Sequence, residues 1–450
     1  MGLSALLRSP LSSLFLRPAF DRLAVPALAR LYFPLSRAWA AGLAAEGDAD
    51  HLIAQLPSLE LNPRAARRAL GRLAPRAEAY GEAANRWEEG LFGGAMAGTA
   101  GLAALEQSRA RAASSLMAGR LAFLSPHLRT PFDPVSWSVA GRDEVMARHG
   151  HRLTGPTARF PMEDVPPPFE ESRSIEGEGF STSWLRAPST VGDSADTLWA
   201  RIDRPLGRGP HPVLIFTHGI AMETEFWHEL GGPAQDLAAA GLVVVRPEGP
   251  FHGRRRPRGQ YGGEPAWGRG PLGLLDYFEA HVRELGILIA WARDTFGGPV
   301  AVGGVSLGAL TAQLVVTAAS HWPARTRPDA AFLVTTSDSI MTMVQDGSLP
   351  AALGVRAKIA ESGWTDESLD ELSPLLDPVD LPAVPAHRIV MVLGRRDTIT
   401  PYPQGERLAR RWGVSGENLF LRDLGHFTAS LDLYRNSGPF DRLRAVLEAA

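Results

Sequence analysis

Cysteine is absent from the 450 residues, and lysine nearly so: Lys358 stands alone against 45 arginines. Without cysteine there is no disulfide framework, thiolate metal site or cysteine nucleophile, and the redox compartment is left open. The single lysine lies in Arg356-Ala357-Lys358-Ile359, outside any phosphate-binding glycine loop. That excludes a Walker-type nucleotide hydrolase and argues against a serine–lysine catalytic pair. A basic excess is also missing, since the net charge is only −3, so no nucleic-acid partner is expected. Long uninterrupted apolar runs are lacking as well. Arg17, Arg22, Arg30 and Arg37 break the amino-terminal stretch and speak against a secretory signal. Leu6 occupies the Ser/Thr position that myristoylation requires. The uncharged run 90–105 is Gly-rich and shorter than the ~20 residues that span a bilayer, so a buried helix or a loop-helix is expected there. A cytoplasmic protein follows, and the arginine preference fits a GC-rich, bacterial genome.

What is present divides into two regions. Residues 1–165 carry apolar side chains at helical spacing, as in Leu16, Phe20, Leu23 and then Ala27, Leu28, Leu31, punctuated by Pro18, Pro26 and Pro34. Asp21 is the one acid among the five arginines of the first 45 residues, a pattern compatible with peripheral membrane contact. Burial of these helices against the rest of the protein is the stronger expectation, as a cap or cover. His149-Gly150-His151 has no convincing third ligand nearby and reads as a polar turn, so no metal or other cofactor is expected. Pro161 and Pro166 to Pro168 mark the break, and 166–450 form the second region.

There, apolar runs alternate with helical segments, the pattern of an α/β protein with a mostly parallel central sheet and helices on both faces. Strands are expected at 177–185, 198–203, 212–217, 242–246, 298–303, 331–335, 388–393 and 419–421, with a helix at 225–240. Gly304-Val305-Ser306-Leu307-Gly308 joins the run 298–303 to a helix-compatible segment. A sharp strand-to-helix turn of this kind exposes a serine oxygen and aims a backbone N–H beside it, and small residues two before and two after let it close.

With Gly394-Arg395-Arg396-Asp397 after a late strand and Gly425-His426-Phe427 near the end, the segment from about 175 to 450 resembles the α/β-hydrolase superfamily. The resemblance implies that fold, preceded here by a helical region, with Ser306 as nucleophile, His426 as base and Asp397 as orienting acid. Ser, Asp, His is the chain order of the superfamily, and Asp338 is the second candidate acid. The oxyanion donors implied are Leu307 N–H and, from His218-Gly219-Ile220, Ile220 N–H, with His218 itself structural. Substrate contacts are expected from Phe226, Trp227 and Met341, the last in an insertion at 339–386. His252 and Gly253 shape a loop, and Arg254, Arg255 and Arg256 take structural or solvated roles in preference to binding a substrate anion.

The function expected is a cofactor-independent serine hydrolase cleaving a small-molecule ester or lipid through an acyl-enzyme. A peptidase or amidase, an acyltransferase, and a non-catalytic binding protein on the same fold are the alternatives.

Overall fold

The computed structural model describes residues 17–56, 61–94, 98–162, 166–189, 191, 196–207, 209–223 and 232–450. Among them ten strands form one sheet: β1 (Glu170–Glu171), β2 (Ile175–Glu176), β3 (Phe180–Pro188), β4 (Thr197–Pro205), β5 (His211–Thr217), β6 (Val243–Pro247), β7 (Gly297–Val305), β8 (Ala330–Val334), β9 (Ile389–Gly394) and β10 (Leu419–Arg422). Their order is β1-β3-β4-β6-β5-β7-β8-β9-β10, with β2 paired to β3. From β6 to β10 every neighbouring pair is parallel, while β3 and β4 are antiparallel to each other and β4 to β6. This is the order of the α/β-hydrolase fold.

Both faces of the central strands are apolar, which explains why they read as continuous runs and not as alternating ones. Val213, Ile215, Val300, Val302, Leu333 and Met391 join a core with Leu285, Leu288 and Leu314 from the helices Pro271–Phe296 and Leu307–Ala318. The residues between them, Leu214, Ala301, Phe332, Val334 and Val392, meet Phe440, Leu443 and Leu447 of the helix Gly438–Glu448 on the other face. Parallel register, such as Leu214 opposite Ala301, brings the carboxyl ends of β5 to β10 to one edge, where ligand crevices form in such sheets.

The amino-terminal helices do not build a separate core. Val25, Phe33, Trp39, Leu52 and Leu70 belong to the same apolar cluster as the sheet. The expected boundary at 165 lies outside the described residues, and it separates regions of sequence that share one interior. A helical path runs through Pro18–Ala27, a wider π turn at Leu28–Tyr32, and Phe33–Ala44. Pro34 has no N–H to offer the Arg30 carbonyl four residues back. His127 supplies the missing donor, with Nε2 at 2.7 Å from Arg30 O. In Phe33–Ala44 only Leu43 is not buried, which favours packing over membrane contact for that helix. The run 90–105, expected as a buried helix or a loop-helix, contains the end of the helix Pro63–Phe92 and the start of Thr99–Ala118, with 95–97 outside the described residues. The expected helix at 225–240 is seen as Gly232–Ala239, with 224–231 outside the described residues.

Arg254, Arg255 and Arg256 have structural partners, as the sequence favoured. Arg254 pairs with Glu248 and lies over the Trp87 and Trp199 rings, and Arg256 lies 4.5 Å from the centre of Trp39. Arg255 is clasped by Glu284 through two bonds of 2.8 and 2.7 Å and also meets Asp196, tying the loop after β6 to the helix Pro271–Phe296. Burial alone would raise the Glu284 carboxyl, but Arg255 and His281 outweigh it and lower its pKa from 4.5 to about 2. Glu284→Ala should therefore lose about 3 kcal/mol in urea unfolding at pH 7, the scale of breaking a buried pair. A depressed carboxyl contributes stability above its unfolded pKa and loses it as pH falls through the folded one. The difference between wild type and variant should accordingly shrink between pH 4.5 and about 2.

Candidate active site

Ser306 follows the last residue of β7 and caps the helix Leu307–Ala318, with φ +56° and ψ −120°. A positive φ at a non-glycine residue is strained, by ~1–3 kcal/mol, and persists only where its surroundings enforce it. Two glycines enforce it here. A Cβ on either Gly304 or Gly308 would collide with Thr217 at the end of β5, so only these bare positions let strand and helix close around the serine. Gly219, just after β5, faces the same place: a Cβ there would stand 3.5 Å from Ser306 Cβ and 4.0 Å from its Oγ. The Leu307 N–H opens the helix and has no intrahelical acceptor to satisfy it.

The two other members of the expected set come from the adjacent strand ends. Asp397 follows β9 and His426 follows β10, with only 5% and 4% of their surfaces exposed. His426 Nδ1 donates to Asp397 Oδ2 at 2.8 Å. The other Asp397 oxygen accepts N–H bonds from Ile399 (2.9 Å) and Thr400 (3.0 Å), and Thr400 Oγ1 donates to Oδ2 at 2.8 Å. The carboxylate is thus held in one orientation, and the imidazole proton is kept on the nitrogen facing it, leaving Nε2 as the basic atom. The imidazole is bonded to Asp397 and not to Asp338, whose two oxygens are engaged by Arg407 at 2.9 and 3.0 Å.

His218 and His252 buttress the loops behind the serine. His218 Nδ1 donates to Gly219 O at 2.8 Å and Nε2 accepts the Gly249 N–H at 3.0 Å. His252 likewise donates to Pro250 O and accepts the Ala221 N–H, at 2.8 and 3.2 Å. Burial lowers the His218 pKa to about 4, and that of His252 falls well below the ordinary value for the same reason first. Both are neutral loop supports.

Ser306, His426, Ile220 and Leu307 line a cavity of about 1190 Å³ whose other walls are almost wholly apolar, including Leu28, Leu31, Leu310 and Met343. Its volume exceeds the ~300–1,000 Å³ usual for small-molecule sites. An Arg120 to Glu223 pair at 2.6 Å, with the guanidinium 4.4 Å from the centre of Trp39, gives the wall a compensated charge. Met341, the expected substrate contact, is not among the residues that line the cavity. All three of Ile340, Met341 and Met343 pack in the core, but only Ile340 and Met343, three apart on one face of the short helix Ile340–Asp346, also line the cavity. Phe226 and Trp227 lie outside the described residues. Sequence reading missed Thr400, although Asp-x-x-Thr after a strand is a local turn pattern, and it missed Asp21, whose carboxylate accepts the Phe427 N–H at 2.9 Å. Among the described residues no group of three or more His, Asp or Glu is disposed to hold a metal ion, and no helix is long and apolar enough to cross a membrane.

The strain is testable apart from activity. Ser306→Gly should be more stable than Ser306→Ala by ~1 kcal/mol in urea unfolding, because glycine alone tolerates this backbone.

Residues 223–356 match the family model described as Alpha/beta hydrolase domain containing 18. No curated protein matches the chain. Among solved structures it is similar to acetyl xylan esterase 1 of Thermoanaerobacterium sp. JW/SL YS485, at 17% identity over 66% of this chain and 95% of that one, with a TM-score of 0.43. The acetyl xylan esterase of Paenibacillus sp. R4 gives 15%, 69%, 96% and 0.47 in the same order. The acylaminoacyl peptidase of Pyrococcus horikoshii gives 12%, 60%, 41% and 0.41. The strand order and the strained serine at the end of β7 are those of the α/β-hydrolase fold, and one segment of the chain matches a family model of that fold.

Proposed function

We propose that this protein is a cofactor-independent serine hydrolase that cleaves carboxylic esters of apolar acyl groups through an acyl-enzyme. The observation that carries the reading is the 2.8 Å bond between Asp397 and His426 at the wall of a cavity that also holds Ser306. In the first half-reaction Ser306 Oγ attacks the ester carbonyl carbon as His426 Nε2 takes its proton. The carbonyl oxygen becomes an oxyanion, met by Leu307 N–H and Ile220 N–H. Collapse expels the alcohol, which receives the proton from His426. A water then attacks the acyl-enzyme with the same base, releasing the acid and restoring the serine. Asp397 remains ionised and stabilises the imidazolium that forms in each step.

The apolar walls favour a neutral hydrocarbon acyl group over a peptide, whose buried amides would lack partners. Peptidase and amidase chemistry on the same residues is ranked lower on that ground. One further observation favours a lipid presented at a surface: Phe20, Leu23, Leu31 and Leu121 line the cavity and yet are 37%, 75%, 41% and 64% exposed, while Arg17, Arg22 and Arg30 are exposed nearby in the chain.

Ser306→Ala should abolish both ester turnover and labelling by a fluorophosphonate probe. Undiminished turnover by the folded variant would reject the nucleophile, and absence of labelling in the wild type would favour a non-catalytic binding protein. In an ester panel running from acetyl to about octanoyl, kcat/KM should rise by up to about fourfold per methylene buried, the equivalent of ~0.8 kcal/mol. A flat or falling profile would remove the apolar acyl group from the proposal.

A further inference from the structure

Asp21 lies in the helix Pro18–Ala27, which contributes Phe20, Leu23 and Ala24 to the cavity wall, yet only 5% of Asp21 itself is exposed. Its Oδ2 accepts the Phe427 N–H at 2.9 Å, and its Oδ1 lies 3.4 Å from Thr428 Oγ1. Those are the second and third residues of the helix His426–Asp432, which begins with the expected base. The first-turn N–H groups of a helix need acceptors, ordinarily from a Ser, Thr, Asp or Asn at the preceding position. That position is Gly425, which has no side chain to give. A Cβ on Gly425 would strike the Asp21 carboxylate, so the glycine leaves the space that a distant residue fills. Thr428 Oγ1 in turn accepts the Gly425 N–H at 2.9 Å, closing a ring of bonds around the backbone that presents the imidazole.

We propose that Asp21 is a positioning residue for His426: it caps the helix of the base from a separate segment and couples the seating of the amino-terminal helix to alignment of the imidazole on Asp397. The inference rests on the reading of His426 as the base of a serine hydrolase. Adjacent residues support the coupling, since Phe20, Leu23 and Ala24 on the same helix line the cavity mouth, and their position is set by the same anchor. The carboxylate is also within electrostatic reach of both His426 and Asp397. Burial raises its pKa, while the Phe427 N–H and the imidazole oppose that rise.

The test uses the full chain with Asp21→Ala and Asp21→Asn. Small misplacements of a reacting group are costly, so Asp21→Ala should lower kcat by about tenfold with KM changed by less than about twofold. Asp21→Asn keeps an oxygen acceptor for the Phe427 N–H and should retain kcat within about threefold of wild type. The downfield proton NMR signal of His426 Nδ1–H, bonded to Asp397, should shift or broaden in Asp21→Ala and persist in Asp21→Asn. Wild-type kcat and an unchanged signal in folded Asp21→Ala would overturn the proposal. If Asp21→Ala does not fold, Gly425→Ala takes its place, since its methyl occupies the carboxylate's site; full kcat with an unchanged signal there would likewise overturn it. The signal requires no turnover. A wild-type protein inactive toward esters would therefore reject the hydrolase reading while the role of Asp21 is still decided by NMR.

Discussion

The geometry of the site depends on how closely two backbones approach behind Ser306. Thr217 at the end of β5 occupies the space into which side chains would project from Gly304 and Gly308, so only hydrogen atoms fit there. That approach lets β7 turn into the following helix within one residue, and the residue that turns is driven to positive φ. A wider contact would relax the turn, withdraw the hydroxyl from the cavity and carry the Leu307 N–H away with it. The strain is sustained by the setting: β7 lies between β5 and β8 in the middle of the sheet, and its helix is buried at Leu307, Leu310, Leu314 and Val315. A surface turn would not hold a serine in this conformation.

Among the described residues the buried cations around this frame are arginines, which gives the scarcity of lysine a physical counterpart. Arg255 bonds Glu284 and Asp196 at once, and Arg246 meets Asp203 at 2.7 Å. A guanidinium has five donors in a planar fork and keeps its charge when buried; an ammonium is a more strongly hydrated point charge that shifts its pKa readily in such a place. The same planarity lets Arg120 lie against Trp39 while bonding Glu223, so a charged residue joins a mostly apolar wall with its charge matched by its partner. The cavity is consequently suited to hydrocarbon even though cations stand beside it.

Much of this was legible in the sequence because its signals are local. The runs 331–334 and 389–393 are apolar at every position, as strands covered on both faces tend to be, and the expected spans 331–335 and 388–393 differ from β8 and β9 by one residue at each end. The glycine spacing around Ser306 and the order Ser306, Asp397, His426 were equally visible. What was not legible depends on helix phase or on distant partners. Placing Met343 and not Met341 at the cavity requires knowing which face of a seven-residue helix meets it, and preferring Asp397 to Asp338 requires knowing which acid the distant His426 meets. Asp21 stood out as a lone acid among arginines, but its partner is a backbone N–H 406 residues away. No local pattern announces that pairing.

Such distances in sequence are a smaller obstacle than they look. Loop-closure entropy grows logarithmically, so each doubling of the loop adds only ~0.6 kcal/mol, and burial of the helix Phe33–Ala44 on nearly all sides draws the segment in. Once it is docked, short polar contacts set its register. Tyr32 OH donates to the Ala221 carbonyl at 3.2 Å, Arg30 O is met by His127, and Asp21 reaches Phe427. Two of these three fall beside residues of the candidate site, at Ala221 next to Ile220 and at Phe427 next to His426. The segment that walls the mouth of the cavity is therefore also attached to the backbone beside two residues of the site. A displacement of that segment large enough to widen the mouth would have to break or stretch those bonds, so access to the cavity and alignment within it are mechanically linked.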